Sequence, residues 1–384
     1  MSHPHIRSFS ALAIVTLVVS SFVSVLFATP AHASDICTVS TDALINNSYI
    51  TSNSCGDGIT ITGTHTITWS GTLSAFNSGA TIDVNGNPTF VGAVTLDASN
   101  NTNFTVESGK TVNAQAEDFT GVQVLNANVI DIEGSIDVSG LGCQHPSLVT
   151  DGDNGKGPSG GICTIGGSGA SSAWFTGGAH CGYGGKNGFG GSNNMGVYES
   201  SSTPALPGAS GGGWNGYYFG SAAGGVVRLT AVNIVIYGTV SAVGAHGSCN
   251  SQNGAGAGAG GTIYLDASDS ITGSGAVTAD GGSADVGGTG GCSQNDHGYG
   301  GGGGAGYIAA YYVNGSIGPT LSAAGGSGSN PGVNNGGSCY AYTHKNSGGA
   351  PIPEFASWVL IATMLTGFGL AYKLMPKLSA RTLK

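Results

Sequence analysis

Five cysteines of the chain have a histidine within five residues, and mixed Cys/His pairs could bind a metal ion. Thiolate sulfur and imidazole nitrogen are common ligands of zinc and copper when the thiols are free. The spacings differ from pair to pair, however, and neither a CxxC nor an HxxxH motif occurs. The sequence therefore favours disulfides with neighbouring histidines, and a metal-binding surface protein is an alternative. The pairs are Cys143 with His145, Cys181 with His180, Cys249 with His246, Cys292 with His297, and Cys339 with His344.

The chain has eight cysteines, and we expect disulfide bonds because other features, given below, indicate export. Cys37 and Cys55 are 18 residues apart near the start of the body, and we expect them to pair. The pairing of the other six is left open by the sequence. Closing a loop rich in glycine is favourable, because a disulfide typically contributes about 2–4 kcal/mol. The other candidates are Cys143, Cys163, Cys181, Cys249, Cys292 and Cys339.

Acidic residues that alternate with apolar ones could supply acid–base chemistry on a polysaccharide. Asp131, Glu133 and Asp137 form one such group, and Asp266 and Asp269 form another. Acids in this pattern are more often solvated residues on the outer face of a strand. Cations are scarce in the body, which has one arginine and four lysines. A lyase or hydrolase is therefore an alternative, and we predict no catalytic residues, no cofactor and no metal ligands.

The composition indicates an all-β chain and excludes several other classes. Glycine accounts for 72 of the 384 residues, with sixty glycines between positions 139 and 350. A helical bundle is excluded because glycine costs about 1 kcal/mol per helical position. Residues 34–350 contain nineteen Asp and Glu and five Lys and Arg, a net charge of about −14, which is the wrong sign for binding nucleic acid. No three-residue glycine period holds, so collagen is excluded as well.

Short runs of alternating apolar and polar residues predict strands from Ile59 onward. A seven-residue motif then recurs at 134–140, 238–244, 275–281 and 319–325. A second motif precedes its last three copies at 225–231, 261–267 and 306–312, so that successive units are 36 and 45 residues apart. Repeats of this length predict a stacked architecture with one continuous core. We expect a parallel β-helix, with a β-sandwich as the alternative.

One side of each predicted strand carries the apolar residues, which we expect to point inward. The predicted inward residues are Val227, Leu229, Ala231, Ile263, Leu265, Ala267, Val240, Ala242, Val277, Ala279, Leu321 and Ala323. Glycine-rich segments at about 141–223, 245–259, 282–304 and 326–350 separate the repeats. We interpret these segments as loops that leave the turns of the solenoid, partly held by disulfides and partly mobile.

Both ends of the chain resemble targeting segments. Residues 1–33 have a basic start at Arg7, an apolar stretch and an Ala-His-Ala site, and predict a signal peptide cleaved between Ala33 and Ser34. Residues 355–372 are uncharged and apolar, long enough at about 1.5 Å per residue to cross a bilayer once. Four basic residues follow, which predicts a cytoplasmic C-terminus before processing.

The C-terminal arrangement resembles the sorting signals of the PEP-CTERM class and their archaeal relatives. The matching parts are Pro353-Glu354-Phe355, one apolar span and a basic end, within residues 351–384. The third motif position is Phe rather than Pro. The resemblance implies an exosortase-like transpeptidase as partner, which removes the span and the tail. A membrane anchor that is never processed is the alternative.

We therefore expect four parts: a signal peptide (1–33), a strand-rich solenoid part (34–138), glycine-rich β-helix repeats with cysteine-bearing loops (139–350) and a sorting signal or anchor (351–384). The body resembles glycine-rich parallel β-helix surface proteins of the adhesin-like type. That resemblance implies a non-catalytic protein attached to the cell envelope. Its expected partners are the membrane and a surface polysaccharide or a ligand on another cell.

Overall fold

A computed structural model describes most of the body of the chain. The described residues are 35–146, 154–171, 175–187, 196–199, 202–213, 219–247, 249–250, 253–284, 300–329 and 334–346. The predicted signal peptide with its Ala33/Ser34 site, the C-terminal segment with Pro353, Glu354 and Phe355, and Cys292 lie outside these residues. None of the described helices is long and apolar enough to cross a membrane.

The described chain is nearly all β, as predicted, and its two large sheets are parallel throughout. Eleven strands form the first sheet: β1 (Ile36–Val39), β3 (Gly58–Gly63), β5 (Thr72–Leu73), β6 (Thr81–Gly86), β8 (Val94–Leu96), β9 (Asn103–Val106), β11 (Val122–Ile132), β15 (Val226–Ile236), β19 (Thr262–Thr272), β21 (Tyr307–Tyr312) and β23 (Tyr342–Lys345). The second sheet contains β2 (Ala43–Ile45), β4 (Thr66–Trp69), β7 (Thr89–Val91), β10 (Thr111–Ala114), β12 (Ser135–Asp137), β16 (Thr239–Ser241), β20 (Ala276–Thr278) and β22 (Thr320–Ser322).

The chain moves repeatedly from the first sheet to the second and back, and each new strand pairs beside the strand of an earlier unit. The main path of the first sheet is β1-β3-β6-β9-β11-β15-β19-β21-β23, and that of the second is β2-β4-β7-β10-β12-β16-β20-β22. Both sheets continue through residue 138, so the two predicted parts of the body share the same sheets. Two small antiparallel hairpins add β13 (Lys156–Ser159) with β14 (Ile162–Ile165), and β17 (Cys249–Asn250) with β18 (Asn253–Gly254).

The sequence repeats coincide with the strand register. Ser135, Thr239, Ala276 and Thr320 occupy one register position in the second sheet. Val226, Thr262 and Tyr307 do the same in the first sheet. The period read from the sequence is therefore the period at which strands stack.

Apolar side chains stack between the two sheets. Six residues at one register position of the first sheet are each at most 2% exposed; they are Val39, Ile61, Val84, Val106, Ile132 and Ile236. Phe90 of the second sheet contacts Phe104 of the first in an edge-to-face pair at 6.2 Å, which joins the sheets across the core. Burying each such side chain contributes about 1.5–3 kcal/mol. The predicted inward residues are buried as expected, except that Leu321 is only partly buried.

The N-terminal end of the stack is closed by a short helix and a disulfide. Helix α1 (Asn47–Ser52) begins after Asn46, whose side chain accepts a hydrogen bond from the backbone amide of Tyr49. The structure places Cys37 and Cys55, the pair that the sequence suggested, at bonding distance with a Cα–Cα separation of 5.1 Å. A second short turn, a 3₁₀ helix, spans Ala98–Asn100.

The glycine-rich segments are partly held by disulfides, as predicted, but where the structure describes them they are not loops that project from the solenoid. They are buried and hydrogen-bonded to one another in a body that we call the glycine bundle. Its segments are 175–185, 206–213, 219–225, 242–247, 255–261, 279–284, 300–306, 323–329 and 334–337. Most of their residues belong to no strand or helix.

Hydrogen bonds in the glycine bundle follow a period of three residues. Every third backbone amide of segment 255–261 donates to the same neighbour: Gly256 and Ala259 to 206–213, Ala257 and Gly260 to 300–306, and Gly258 and Gly261 to 242–247. Segment 300–306 repeats the pattern toward 175–185, 334–337 and 279–284. Three residues per turn with no internal hydrogen bonds is the geometry of polyproline II. Segments 255–261 and 300–306 thus resemble polyproline II helices that bond laterally to their neighbours.

Glycine is required in the bundle because neighbouring backbones approach too closely for a side chain. A Cβ added at Gly258 would lie 1.9 Å from the carbonyl oxygen of Ala222. A Cβ at Gly303 would lie 1.9 Å from the carbonyl oxygen of Gly258 itself. Strand and helix periods of two and 3.6 do not detect such a structure, which is why the sequence suggested loops.

Candidate binding site

An aromatic cluster occupies the outer face of the first sheet near its C-terminal edge. Arg228, Tyr264, Tyr311, Tyr342 and His344 come from the four successive strands β15, β19, β21 and β23. Neighbouring strands in a sheet are about 4.8 Å apart, so side chains on this face meet across the ladder. The cluster is therefore assembled by register, from residues that are distant in sequence.

The inner part of the cluster is tightly connected. The guanidinium carbon of Arg228 lies 4.6 Å from the centre of the Tyr264 ring, a cation–π contact. The Tyr264 hydroxyl donates to Asp266 Oδ2 at 3.4 Å. Burial, with the nearby Asp266 carboxylate, raises the pKa of Tyr264 to about 12. Burial also raises the pKa of Asp266, although Tyr264 and Arg228 oppose that change.

The outer part of the cluster is more exposed. The Tyr311 ring centre lies 5.7 Å from that of Tyr264, 5.7 Å from that of Tyr342 and 5.9 Å from that of His344. Burial, followed by the effect of neighbouring Tyr342, raises the pKa of the Tyr311 hydroxyl. That hydroxyl donates to the carbonyl of Ser202, in a segment that crosses this face.

Residues 196–199 and 202–207, which we call the strap, cover part of this outer face. The Thr262 hydroxyl donates to the carbonyl of Leu206 at 2.7 Å, and the Tyr307 hydroxyl donates to that of Glu199 at 3.1 Å. Thr262 and Tyr264 lie on the side of β19 opposite its inward residues, yet they are only 0% and 8% exposed. Polar outer residues are buried here because the strap accepts their hydrogen bonds.

A buried histidine–glutamate pair fixes the strap to the glycine bundle. His180 Nδ1 donates to the carbonyl of Gly260 at 3.0 Å, and its Nε2 lies 3.1 Å from Glu199 Oε2. The other Glu199 oxygen accepts from the backbone amides of Ala205 and Leu206. Both carboxylate oxygens are thus occupied by protein groups. The pair positions the strap and leaves no oxygen of Glu199 unbonded for acid–base chemistry.

An open cavity of about 710 Å³ adjoins the cluster. Glu199, Tyr307, Tyr340 and Tyr342 line it, together with the Cys181–Cys339 disulfide. That disulfide joins the glycine bundle to the chain just before β23, with a Cα–Cα separation of 5.8 Å. Tyr340 projects beside the cavity and is 94% exposed. Aromatic side chains and a disulfide bond therefore line the cavity.

Three of the five cysteines that the sequence grouped with histidines are bonded to other cysteines. Cys143 is paired with Cys163, and Cys181 with Cys339. The side chain of Cys249 lies outside the described part of the chain, as does Cys292. Within the described residues, no group of three or more His, Cys, Asp and Glu side chains is placed to hold a metal ion.

The acidic residues considered for catalysis lie apart from this cavity or accept hydrogen bonds from other protein groups. Burial raises the pKa of Asp131, and the neighbouring Glu133 and Glu107 raise it further. Asp137 accepts a hydrogen bond from the backbone amide of Ser139 at 2.9 Å. Asp269 accepts from the side-chain amide of Asn314. None of these acids lines the 710 Å³ cavity.

The aromatic cluster was not predicted from the sequence, although a signal was present. Tyr340, Tyr342 and His344 alternate over five residues near the end of the body. The sequence indicated His344 only as a neighbour of Cys339. Comparison with known proteins adds nothing to this assignment: no protein family, curated protein or solved structure significantly matches the chain.

Proposed function

We propose that the chain is an exported, non-catalytic protein of the cell surface, with a parallel β-helix body attached to the envelope by its C-terminal segment. The observation that carries the proposal is the parallel stacking of strands, from β1 to β23 in the first sheet and from β2 to β22 in the second. Such a stack grows in one direction and buries a narrow core along its whole length. It is suited to holding a binding surface at a distance from a membrane.

The β-helix assignment is supported by the order of the strands. Along the main path of each sheet, successive units add one strand, and the same apolar register positions recur from unit to unit. The glycine bundle packs beside the second half of the stack and has its own hydrogen-bond network. The two ends of the chain predict where the body is placed. The N-terminal segment predicts export, and the C-terminal segment predicts retention by a membrane span or a sorting enzyme.

Three observations favour a role in binding or support over one in catalysis. The carboxylate nearest the cavity, Glu199, has both oxygens bonded to protein groups. The pairing of Cys143 and of Cys181 leaves these thiols unable to bind a metal as thiolates. The aromatic cluster offers ring faces, which contribute to binding through their large apolar area.

Surface labelling of intact cells tests the proposal. Cells that produce the wild-type chain are treated with a membrane-impermeant, amine-reactive label, and we expect the protein to be labelled without lysis. Replacing Glu354 by Ala should leave export intact while the precursor accumulates in the membrane with its tail attached. Ser379→Ala, in the tail but outside the Pro-Glu-Phe motif, is the control.

Two results would contradict parts of the proposal. Labelling only after lysis would refute surface location. A wild-type protein whose mature mass includes residues 355–384 would refute processing and leave a permanent membrane anchor.

A further inference from the structure

Three aromatic side chains alternate along β23 and the residues just before it. We call these residues, Tyr340, Tyr342 and His344, the aromatic strip. Alternate residues of an extended chain point to the same side, about 6.6 Å apart. The Tyr342 and His344 rings lie parallel within 7°, with their centres 6.2 Å apart. Tyr340 and Tyr342 line the same cavity. The strip therefore presents a row of rings along one edge of the sheet.

The aromatic strip is exposed to solvent, although burial would stabilise its aromatic rings. Tyr340 is 94% exposed, and His344 is exposed as well. A large aromatic side chain usually buries most of its surface, so a row of accessible rings beside a cavity indicates a contact surface. Tyr237 lies in the turn between β15 and β16 and is 60% exposed. Unlike the rings of the strip, it belongs to none of the aromatic contacts among the described residues.

The strip is held in place before any ligand arrives. Tyr311 supports the Tyr342 and His344 rings from the neighbouring strand. The Cys181–Cys339 disulfide fixes the chain one residue before Tyr340. A surface positioned in advance loses little conformational entropy when it binds. The rings are thus arranged as a platform.

The charges around the strip favour a neutral ligand. Arg228 lies over the Tyr264 ring beside Asp266, and Lys345 donates to the carbonyl of Gly315. The body as a whole carries an excess of about fourteen negative charges, which repels an acidic polymer. The cavity volume of about 710 Å³ is in the range of sites that hold small organic ligands. Rings in a row match the C–H faces of successive sugars in an extended chain.

We propose that the aromatic strip and the adjoining cavity bind a neutral, extended polysaccharide by stacking sugar rings on Tyr340, Tyr342 and His344. Hydroxyl groups at the rims of the sugars would meet the Tyr307 side of the cavity. The proposal gives a ligand class to the surface role proposed above and rests on that role only for the access of the strip to polysaccharide outside the cell.

Binding of purified protein to defined glycans tests the proposal. The full-length chain in detergent micelles is titrated calorimetrically with cellohexaose, chitohexaose and soluble mannan, with alginate as an acidic comparator. We expect at least one neutral probe to bind and alginate not to bind. Tyr340→Ala and Tyr342→Ala should each weaken binding about three- to tenfold, the value of one aromatic contact. Tyr342→Phe should retain most of the affinity, since it keeps the ring.

Tyr237→Ala is the matched control and should bind as wild type does. Tyr340 is almost fully exposed, so Tyr340→Ala separates loss of binding from loss of folding. Failure of all three neutral probes, preference for alginate, or wild-type binding by Tyr340→Ala would overturn the proposal. So would a Tyr342-dependent dimer without glycan binding, because the strip would then serve a second copy. Surface labelling is unaffected by any of these results, so the two proposals fail separately.

Discussion

Replacing Gly258 by Ala is the sharpest test of the glycine bundle. The added Cβ would lie 1.9 Å from the carbonyl oxygen of Ala222 and 2.4 Å from its carbonyl carbon. Both atoms belong to backbone, so no side chain can rotate away. Either segment must move by more than 1 Å, in a region where six neighbouring segments surround residues 255–261.

The cost of this substitution can be worked from two contributions. Overpacking a filled core typically costs about 1–3 kcal/mol. The shift also weakens the hydrogen bonds from the Gly258 amide to the Ala245 carbonyl at 3.1 Å and from the Gly282 amide to the Gly258 carbonyl at 2.9 Å. Each contributes about 0.5–1.5 kcal/mol. We expect a net loss of about 4 kcal/mol in the free energy of unfolding.

Gly196→Ala is the control, because a Cβ there meets nothing within 4 Å and its φ is not positive. It should be neutral or stabilise by up to about 1 kcal/mol, since alanine restricts the unfolded chain. Chemical denaturation followed by circular dichroism measures both variants. If Gly258→Ala and Gly196→Ala unfold within about 0.5 kcal/mol of each other, the close packing of the bundle is refuted.

Three further outcomes follow from the core, the disulfide and the tyrosines. Replacing Cys181 and Cys339 by Ser removes a disulfide that joins residues 158 apart in the sequence. The free energy of unfolding should fall by up to about 5 kcal/mol, because the unfolded chain is no longer restricted by this closed loop. A thermal midpoint equal to that of the wild type would contradict this. Phe90→Ala should cost about 3–5 kcal/mol, whereas Ile36→Ala, at a side chain 56% exposed, should cost less than 1, as measured by denaturant titration. The pKa of Tyr264 is about 12 in the folded protein, against about 10 unfolded, so its contribution is complete below about pH 10 and is lost as the pH rises toward 12. Tyr264→Phe should reduce that alkaline loss in a pH series of unfolding midpoints, and an unchanged slope would count against the assignment.

The sheets could be predicted because their pattern is local. Alternation such as Val227, Leu229 and Ala231 specifies which side of a strand is buried, and all three are buried. The repeats could be aligned because stacked strands meet at equal register positions. The pairing of Cys181 with Cys339 could not be predicted in the same way, because the bond joins residues 158 apart through the glycine bundle.

The aromatic cluster was harder to predict for a related reason. Tyr264, Tyr311 and Tyr342 belong to three different units and meet only through parallel register. The glycine bundle could not be predicted from the sequence, because the packing of its segments depends on the absence of side chains. A buried strand carries a signal in its apolar residues, whereas a polyproline II-like segment such as 255–261 carries only glycine and alanine. Composition alone cannot separate that from a loop.

The sheets and the glycine bundle grow by the same repeat, and one contact shows why. Just before β15, β19 and β21 of the first sheet, a glycine amide donates to the carbonyl that follows the previous unit's strand in the second sheet: Gly225 to Val138, Gly261 to Ala242, and Gly306 to Ala279. Beyond that carbonyl the chain continues into the bundle in the same relative place, with the amides of Gly244 and Gly281 bonded to the carbonyls of Asp280 and Ala324 in the next unit. Each unit thus extends both sheets and the bundle at once.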